Sequence, residues 1–394
     1  MTPSYPNGLA MRDERRPRKG GAFLLALCAI LTLNACSMQR APTGLYAAGT
    51  VQDRDETTPI FLSTNRKRTD AAGGPFTADR SLALSFARFD VSAPANRALG
   101  QVPVGGNDPK RRFTAVYHDI DSRAQIIAQI NATLERLPPQ DREIFIFVHG
   151  YNNNISESLF RAAQIVSDFD IQSVPLHYAW PSAGSLPLYV FDRDSAIFAR
   201  DGLADTIELA AQTKAKDIVL VAHSMGAFVA MEALRTLALR GKSRYFKRFG
   251  GVVLAAPDID VDVFKGQVHD IGTLPSPFTI LISQRDRAIG LSRFLAGGHP
   301  RVGNVDDIAL LQRSGITVID VSKVDGGGHT VFAQSETMTR LVENNRISHN
   351  ALVTGQTQAA PIDFAEAVAS SAIALPLTVF LPDGRRFTGN ETGR

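Results

Sequence analysis

The chain has 394 residues, of which 44% are hydrophobic and 21% are charged, and its formal net charge at pH 7 is +3. This length and composition exclude a mostly disordered protein and predict one large domain or two modest ones. Much of the positive charge lies in the first forty residues, and no basic stripe is interleaved with aromatic residues, so we expect no nucleic-acid partner.

The N-terminus has the parts of an export signal. Residues 12–19 are basic, residues 21–33 form an apolar run too short for an ordinary membrane helix, and Leu33-Asn34-Ala35-Cys36 follows. This order resembles the lipobox of bacterial lipoproteins. The resemblance implies lipidation of Cys36 and an exported protein of the cell envelope, anchored to a membrane through its lipid and facing the periplasm. An ordinary secretory signal with an incidental cysteine is the alternative.

The two cysteines of the chain, Cys28 and Cys36, both lie in this signal region. The rest of the chain therefore offers no internal disulfide, no cysteine nucleophile and no zinc–thiolate site. We divide the chain into a lipoprotein-type signal peptide (1–36), a polar tether (37–55), one α/β domain (56–346) and a C-terminal appendage (347–394) to which the pattern assigns no defined order.

Hydrophobic patterns predict two groups of elements in the domain. Short strands at 60–62, 82–91 and 113–117 predict an antiparallel N-terminal portion of a sheet, and a helix at 121–137 follows. Strands and helices then alternate, which predicts a mostly parallel central sheet with helices on both faces. The later strands are predicted at 143–148, 173–178, 217–221, 251–255, 278–283 and 316–321, and the later helices at 155–169, 193–211 and 225–240.

The C-terminal appendage contains two weaker patterns. Residues 364–374 have a helical pattern and residues 377–381 a strand pattern, but nothing in the preceding alternation requires either element. We therefore expect the strand at 316–321 to be the last strand of the sheet.

The central feature of the alternating region is segment 217–228, which reads DIVLVAHSMGAF. Four apolar residues lead into Ser224, and a helical pattern follows it. Small residues at Ala222 and Gly226 leave room for a sharp strand-to-helix turn that lifts a serine hydroxyl out of the chain. The segment therefore predicts a nucleophile elbow at Ser224. A turn serine without reactivity is the alternative.

A serine nucleophile needs a base within hydrogen-bond reach and a third group that orients the base. In the order serine, acid, histidine, each partner lies in a loop after a later strand. Asp286 follows the predicted strand at 278–283, and His329 follows the strand at 316–321 and three glycines. Other loops offer alternatives, namely Asp258 and Asp260 for the acid and His299 and His349 for the base.

Two backbone N–H groups are candidates for stabilising a developing oxyanion. Met225 begins the helix after the serine. Tyr151 follows Gly150 in the loop after the strand at 143–148, where a glycine permits close backbone approach. We expect the asparagines at 152–154 to cap the next helix. The residues imply no metal and no organic cofactor.

Six sequence blocks together resemble the DUF900 group of bacterial alpha/beta hydrolases, which are esterase- or lipase-like and of largely unknown substrate. The resemblance covers residues 143–332 and implies an α/β-hydrolase fold, with the nucleophile at Ser224, the acid at Asp286 and the histidine at His329. Ala222 replaces the usual glycine. The blocks are HGYNN (149–153), YAWPS (178–182), DRDS (192–195), AHSMG (222–226), LAAPDID (254–260) and PRVG (300–303).

These residues favour a serine hydrolase that cleaves an ester or related acyl bond of a small molecule or lipid. A lipid-anchored binding or scaffold protein on a hydrolase fold and an acyltransferase with the same residues are the alternatives. Neither the acyl chain length nor the oligomeric state follows from the sequence. We expect a partly apolar acyl pocket lined by Phe191, Phe264, Phe294 and the segments 182–190 and 261–277.

Overall fold

The structure, a computed structural model, describes residues 57–69, 74–94, 96–103, 110–343 and 377–388. The predicted signal peptide, the tether and the helical pattern at 364–374 lie outside the described residues. Within the described ranges, no helix is both long enough and apolar enough to cross a membrane.

The described strands form one 11-stranded sheet. In chain order they are β1 (Thr58–Arg68), β2 (Phe76–Ser92), β3 (Thr114–Ile120), β4 (Glu143–Val148), β5 (Val174–Ala179), β6 (Asp217–His223), β7 (Phe249–Ala255), β8 (Phe278–Ile282), β9 (Thr317–Asp320), β10 (Thr378–Phe380) and β11 (Arg386–Thr388). Across the sheet they follow the order β11-β10-β9-β8-β7-β6-β4-β5-β1-β2-β3.

The central seven strands, from β1 to β9 across the sheet, all run parallel. Strands β2 and β3 continue the sheet in antiparallel pairing at one side. The predicted mostly parallel sheet with an antiparallel N-terminal portion is confirmed. The strand at 316–321 is not the last one, because β10 pairs antiparallel with β9 and places Val379 opposite Ile319. A pairing partner this distant in sequence leaves no signal in the pattern around β9.

The described helices include four that the sequence predicts and several shorter ones that it does not. The predicted helices agree within a few residues at their ends, except that α3 begins four residues early, at Tyr189. The helices are α1 (Arg123–Leu134), α2 (Ile155–Asp168), α3 (Tyr189–Ala211), α4 (Met225–Leu239), α5 (Val261–Ile271), α6 (Arg287–Leu295), α7 (Ile308–Gln312), α8 (Val331–Gln334) and α9 (Glu336–Glu343).

The buried strands divide their apolar side chains between two faces of the sheet. In β4, Ile144, Ile146 and Val148 belong to one core cluster together with residues of α1, α3 and α4, whereas Phe145 and Phe147 belong to a second cluster with residues of α2. Successive side chains of a strand point to opposite faces, so a strand covered on both sides is apolar throughout. The continuous apolar run of β4 therefore has a direct structural cause.

Aspartate and asparagine side chains begin several of these helices. Asn154 and Glu157 form a reciprocal capping box at the start of α2. The carboxylates of Asp260 and Asp286 accept backbone N–H groups at the starts of α5 and α6. These two short helices were not predicted, because the aspartates that begin them have equally plausible roles in a reaction site.

Gly202 allows α3 to pack against a buried polar pair. A Cβ atom at Gly202 would lie 1.7 Å from Oδ1 of Asn65 and 2.7 Å from the hydroxyl oxygen of Tyr178. Tyr178 donates a 2.7 Å hydrogen bond to that same Oδ1, and Asn65 Nδ2 donates to the Ser81 carbonyl at 2.8 Å. The space beside α3 is therefore occupied by bonded atoms that have no room to move.

We expect Gly202→Ala to lower the free energy of unfolding by about 2 kcal/mol, because overpacking and the lost hydrogen bonds exceed the gain in helix propensity. Gly266→Ala in α5 is the matched control, since a Cβ there meets no atom within 4 Å; it should raise stability by up to about 1 kcal/mol. Urea unfolding of both variants measures the difference. Equal stabilities would contradict the packing argument.

Candidate active site

The loops after β4, β6, β7, β8 and β9 meet at one edge of the sheet, because these strands are parallel neighbours. Ligands and reactive side chains gather at the carboxyl ends of the strands in open α/β sheets. The candidate residues Tyr151, Ser224, Asp258, Asp286 and His329 follow these five strands in turn, so the sheet topology brings them to the same edge.

Ser224 forms the turn between β6 and α4 with a strained backbone. Its φ is 53° and its ψ is −122°, a conformation that non-glycine residues adopt only when the surroundings enforce it. The Ser224 N–H donates to the Ala255 carbonyl at 2.9 Å, and its carbonyl accepts from the N–H groups of Asp258 and Ala227 at 3.2 and 3.0 Å. The elbow geometry expected from the sequence is present.

Two glycines bring the loop after β4 against this turn. A Cβ atom at Gly226 would lie 2.2 Å from the His149 carbonyl oxygen, and one at Gly150 would lie 3.1 Å from the Ser224 Cβ. Side chains at either residue would push the loop and the elbow apart. The backbone at 149–151 therefore lies directly beside Ser224.

His329 and Asp286 form a direct hydrogen bond. The His329 Nδ1 lies 2.7 Å from Asp286 Oδ2; the carboxylate side chain is fully buried, and the imidazole is 23% exposed. The other oxygen, Oδ1, accepts the N–H groups of Ala288 and Ile289 at 2.9 and 3.0 Å. An ionised carboxylate requires the proton on Nδ1, which leaves Nε2 of the neutral ring as a proton acceptor.

Hydrogen bonds from the loop after β8 also hold the histidine loop. Ser283 Oγ donates to the Gly327 carbonyl at 2.7 Å, and Ser322 Oγ accepts the Gln284 N–H at 2.8 Å. The turn that follows β8 is therefore tied at two points to the segment that brings His329 to the sheet edge.

His223 links the serine turn to the histidine loop. Its Nε2 lies 3.0 Å from the His329 carbonyl oxygen, and the two imidazole centroids are 4.6 Å apart. The protein packed around it lowers the pKa of His223 well below 6.5, and the neighbouring His329 lowers it further. His223 is thus a neutral donor to the His329 backbone. The sequence analysis missed this contact, because it considered only reactive roles.

The alternative acids have other partners. Asp258 accepts from Ser292 Oγ at 2.6 Å and from the Tyr189 hydroxyl at 3.3 Å, and its Oδ1 lies 3.4 Å from Arg301 Nε. Asp260 accepts the N–H groups of the first turn of α5. Among the alternative bases, His299 is exposed in the loop after α6, and His349 lies outside the described residues.

A side-chain amide fixes the loop that carries Tyr151. Asn153 Nδ2 donates to the carbonyls of Gly150 and Tyr151 at 3.2 and 2.8 Å, so the loop closes on itself. The expectation that the asparagines at 152–154 cap the next helix is confirmed through Asn154, which is the residue of the three that caps α2. Asn153 instead saturates carbonyls that the helix cannot reach.

A buried carboxylate connects the same loop to the segment after β5. Asp192 accepts from Ser182 Oγ at 2.6 Å, from the Ala183 N–H at 2.7 Å and from the Asn152 N–H at 3.2 Å. The sequence analysis quoted Asp192 in the block DRDS but gave it no role, since one acidic residue near the start of a helix is common. Asp192 connects the loop after β4 to the loop after β5, and these two loops are distant from each other in sequence.

The expected pocket lining is only partly present. Phe264 is buried in the main core on the inner face of α5, so its predicted position at the pocket mouth is wrong. The segment 261–277 was expected to line the pocket without a predicted helix, and the helical period of α5 turns that side chain into the core. Phe191 is half-buried beneath the Arg80 guanidinium, 4.6 Å from its ring centroid, and Phe294 is 77% exposed.

A mostly parallel sheet with a serine elbow and a buried carboxylate–histidine pair at its carboxyl edge defines an alpha/beta hydrolase. The chain belongs to the DUF900 family, described as alpha/beta hydrolase of unknown function, which matches residues 123–346, more than half of the chain. The resemblance seen in the sequence blocks is confirmed. None of the curated proteins matches the chain.

Solved esterase structures share weak similarity with the chain. Carboxyl esterase 2 of the mycorrhizal fungus Tuber melanosporum is 11% identical, with 81% of this chain and 91% of that one covered and a TM-score of 0.33. A thermophilic esterase of the Planctomycetes species Thermogutta terrifontis is 10% identical, with 69% and 90% covered and a TM-score of 0.27. Both TM-scores are below 0.5, so neither similarity supports a conclusion about activity.

Two buried histidines lie beneath the loop after β4. His149 stacks on Trp180 at a centroid distance of 5.0 Å, and His177 lies 5.6 Å from His149. His177 Nδ1 donates to the Phe147 carbonyl at 3.1 Å, while its buried Nε2 has no hydrogen-bond partner among the described residues. Burial lowers the pKa of His177 to about 3. The ring therefore stays neutral when the protein is folded.

This neutral histidine makes the stability depend on pH. Below pH ~6.5 the unfolded chain binds a proton at residue 177 that the folded protein excludes, so stability falls by about 1.4 kcal/mol per pH unit as the pH decreases. We expect His177→Gln to reduce this slope by that amount in urea unfolding between pH 6.5 and 4.5. The exposed His299→Gln should keep the wild-type slope. If the free energy of unfolding of both variants changed with pH at the same rate, the prediction would be contradicted.

Proposed function

We propose that the protein is a serine hydrolase that cleaves a carboxylic ester or related acyl bond through an acyl-enzyme intermediate. The observation that supports this most is the 2.7 Å hydrogen bond between the buried Asp286 and His329 Nδ1. It orients a histidine whose backbone is bonded to the residue preceding Ser224. A loop histidine that serves no function is not expected to be held by hydrogen bonds at both its ring and its backbone, as His329 is.

The proposed reaction begins when Ser224 Oγ attacks the acyl carbon while His329 Nε2 accepts the serine proton. Asp286 keeps the other imidazole proton on Nδ1 and stabilises the imidazolium that forms. His329 then returns the proton to the leaving alcohol, and the acyl group remains on Ser224. Water attacks this ester with the same base, which releases the acid and regenerates the serine.

Two backbone N–H groups are proposed to stabilise the tetrahedral oxyanion. Met225 is the first residue of α4, and the first N–H groups of a helix have no partner within it. Tyr151 follows Gly150, whose backbone lies beside the Ser224 Cβ. The Asn153 amide bonds to the carbonyls of both loop residues support a fixed orientation of this N–H before substrate binds.

Asp286 is preferred over Asp258 as the acid because of their hydrogen-bond partners. One oxygen of Asp286 is bonded to His329 and the other to a helix start. Asp258 is surrounded by Ser292, Tyr189 and Arg301, which neutralise and saturate it. A carboxylate already paired with a buried arginine is less able to stabilise an imidazolium.

The nucleophile is tested with a fluorophosphonate probe, which reacts with activated serines. Wild-type protein should be labelled, whereas Ser224→Ala should lose both the label and at least about 1000-fold of its ester hydrolysis. Ser314→Ala is the control, since residue 314 precedes β9 at the opposite edge of the sheet; it should keep both. A folded wild-type protein that takes up no probe would contradict the proposal.

The acid is tested by comparing Asp286→Asn with Asp258→Asn. We expect Asp286→Asn to lower kcat about 10³- to 10⁴-fold, because an amide favours the wrong imidazole tautomer. Asp258→Asn should keep activity within tenfold but lower the free energy of unfolding by about 3 kcal/mol, since Arg301 would remain buried without a counter-charge. Steady-state kinetics and urea unfolding give both quantities, and the reverse pattern would make Asp258 the acid.

A further inference from the structure

Exposed apolar side chains are concentrated beside the candidate active site. Ten large apolar residues are exposed in the described part of the chain, and six of them lie in two short segments, with exposures between 46% and 77%. Apolar residues scattered singly over a surface are ordinary, whereas a contiguous set marks an interaction site. We name these six the apolar rim: Leu186, Leu188, Val190, Leu291, Phe294 and Leu295.

The two segments of the apolar rim are in contact. The hydroxyl of Tyr189, between Leu188 and Val190, lies 3.2 Å from the hydroxyl of Ser292, which follows Leu291. Both hydroxyl groups also bond to the buried Asp258. The segment that enters α3 therefore packs against α6, which places the two groups of rim residues on adjacent elements.

The apolar rim shares its supporting elements with the candidate active site. Helix α6, which carries three rim residues, begins at Asp286, the residue bonded to His329. On the other side, the Tyr151 hydroxyl donates to the Leu186 carbonyl. The rim consequently extends outwards from the same loops that hold the proposed acid and one proposed oxyanion donor.

The charge on the α6 side of the rim is positive. Arg285 and Arg287 are exposed at the start of α6, Arg293 is half-buried on the same helix, and the single carboxylate among residues 284–299 is the buried Asp286. Residues 185–191 contain no charged side chain. Asp194, one helical turn after Val190 in α3, is an exposed acid beside the other segment. The α6 side of the rim, which combines Phe and Leu with Arg and carries no exposed acid, suits an anionic lipid interface.

We propose that the apolar rim binds the surface of anionic lipid aggregates and that the substrate is a long-chain ester taken from this surface. A second copy of the chain is a poorer occupant, because a two-fold contact through the same patch would bring arginines against arginines. An anionic lipid surface fits both the apolar side chains and the arginines of the rim, since acyl chains cover the apolar residues and headgroups pair with the guanidinium groups. The substrate part rests on the proposed ester hydrolysis, whereas the binding part does not.

Binding is tested with a local probe in the full chain. Cys28 and Cys36 are replaced by serine, and one new cysteine is introduced by Phe294→Cys or, as the control, Leu239→Cys, then labelled with an environment-sensitive fluorophore. Leu239 is also a large apolar residue and is 63% exposed, against 77% for Phe294, but it ends α4, at the opposite edge of the sheet. A Ser224→Ala background prevents turnover, so the readout does not depend on catalysis.

We expect the probe at residue 294 to shift to shorter wavelength, and to be quenched by doxyl-labelled lipid, with vesicles containing 30% phosphatidylglycerol. The probe at residue 239 should change by less than a fifth as much. No shift at residue 294, or an equal shift at both residues, would overturn the proposal. A shift that needs no vesicles and grows with protein concentration would identify a second copy as the occupant and also overturn it.

The substrate class is tested by comparing two esters in otherwise wild-type protein. Leu291→Ser/Leu295→Ser should lower the ratio of the rate on p-nitrophenyl palmitate in anionic vesicles to the rate on dissolved p-nitrophenyl acetate at least tenfold. Leu239→Ser should leave this ratio unchanged. An unchanged ratio in the double variant would overturn the substrate part. If wild type cleaves neither ester, the proposed hydrolysis fails, while the fluorescence result still decides the binding.

Discussion

The strained backbone of Ser224 is the constraint on which the rest of the site depends. A non-glycine residue at φ 53° and ψ −122° costs on the order of 1–3 kcal/mol, so its surroundings must enforce it. Three backbone hydrogen bonds fix the turn to the loop after β7 and to α4, and Gly226 seats α4 against the carbonyls that end β4. The parallel register of β4, β6 and β7 therefore determines where the serine lies.

Asp286 couples the candidate reaction chemistry to a helix. Its Oδ1 begins α6 and its Oδ2 holds His329, so the same carboxylate sets the direction of the helix and the orientation of the imidazole. Because α6 also carries half of the apolar rim, a rotation of this helix would shift the acid and the rim together. A binding surface built on this helix can thus influence the orientation of the histidine without touching it.

Local sequence patterns predicted those parts of the fold that depend on local physics. The continuous apolar run of β4 and the alternation of strands and helices follow from burial on both sheet faces, and the order Ser224, Asp286, His329 follows from loops at the ends of β6, β8 and β9, which run parallel. The structure brings the last two within hydrogen-bond distance. The role of Ser224 in a reaction stays a prediction, because geometry alone does not measure reactivity.

Features that depend on distant contacts were missed. Asp192 joins two loops through three hydrogen bonds, and β10, which matches the strand pattern at 377–381, pairs with β9 across a long stretch of chain; the local pattern indicates neither contact. Phe264 was placed at the pocket mouth, but the helical period of α5 turns it into the core. For Asp192 and β10 a deciding partner, Asn152 or β9, lies at least 40 residues away, whereas Phe264 was misplaced because its helix was not predicted.

Two buried carboxylates at neighbouring strand ends illustrate how partners decide a role. Asp258 and Asp286 both follow parallel strands and both are almost inaccessible, so neither position nor burial separates them. Burial, and then the charge of Asp258, raise the pKa of Tyr189, so its hydroxyl stays protonated and keeps donating to Asp258 at neutral pH. Asp258 therefore holds α3 against α6 and supports the rim. Of these two carboxylates, it is that of Asp286 which has an oxygen directed at an imidazole.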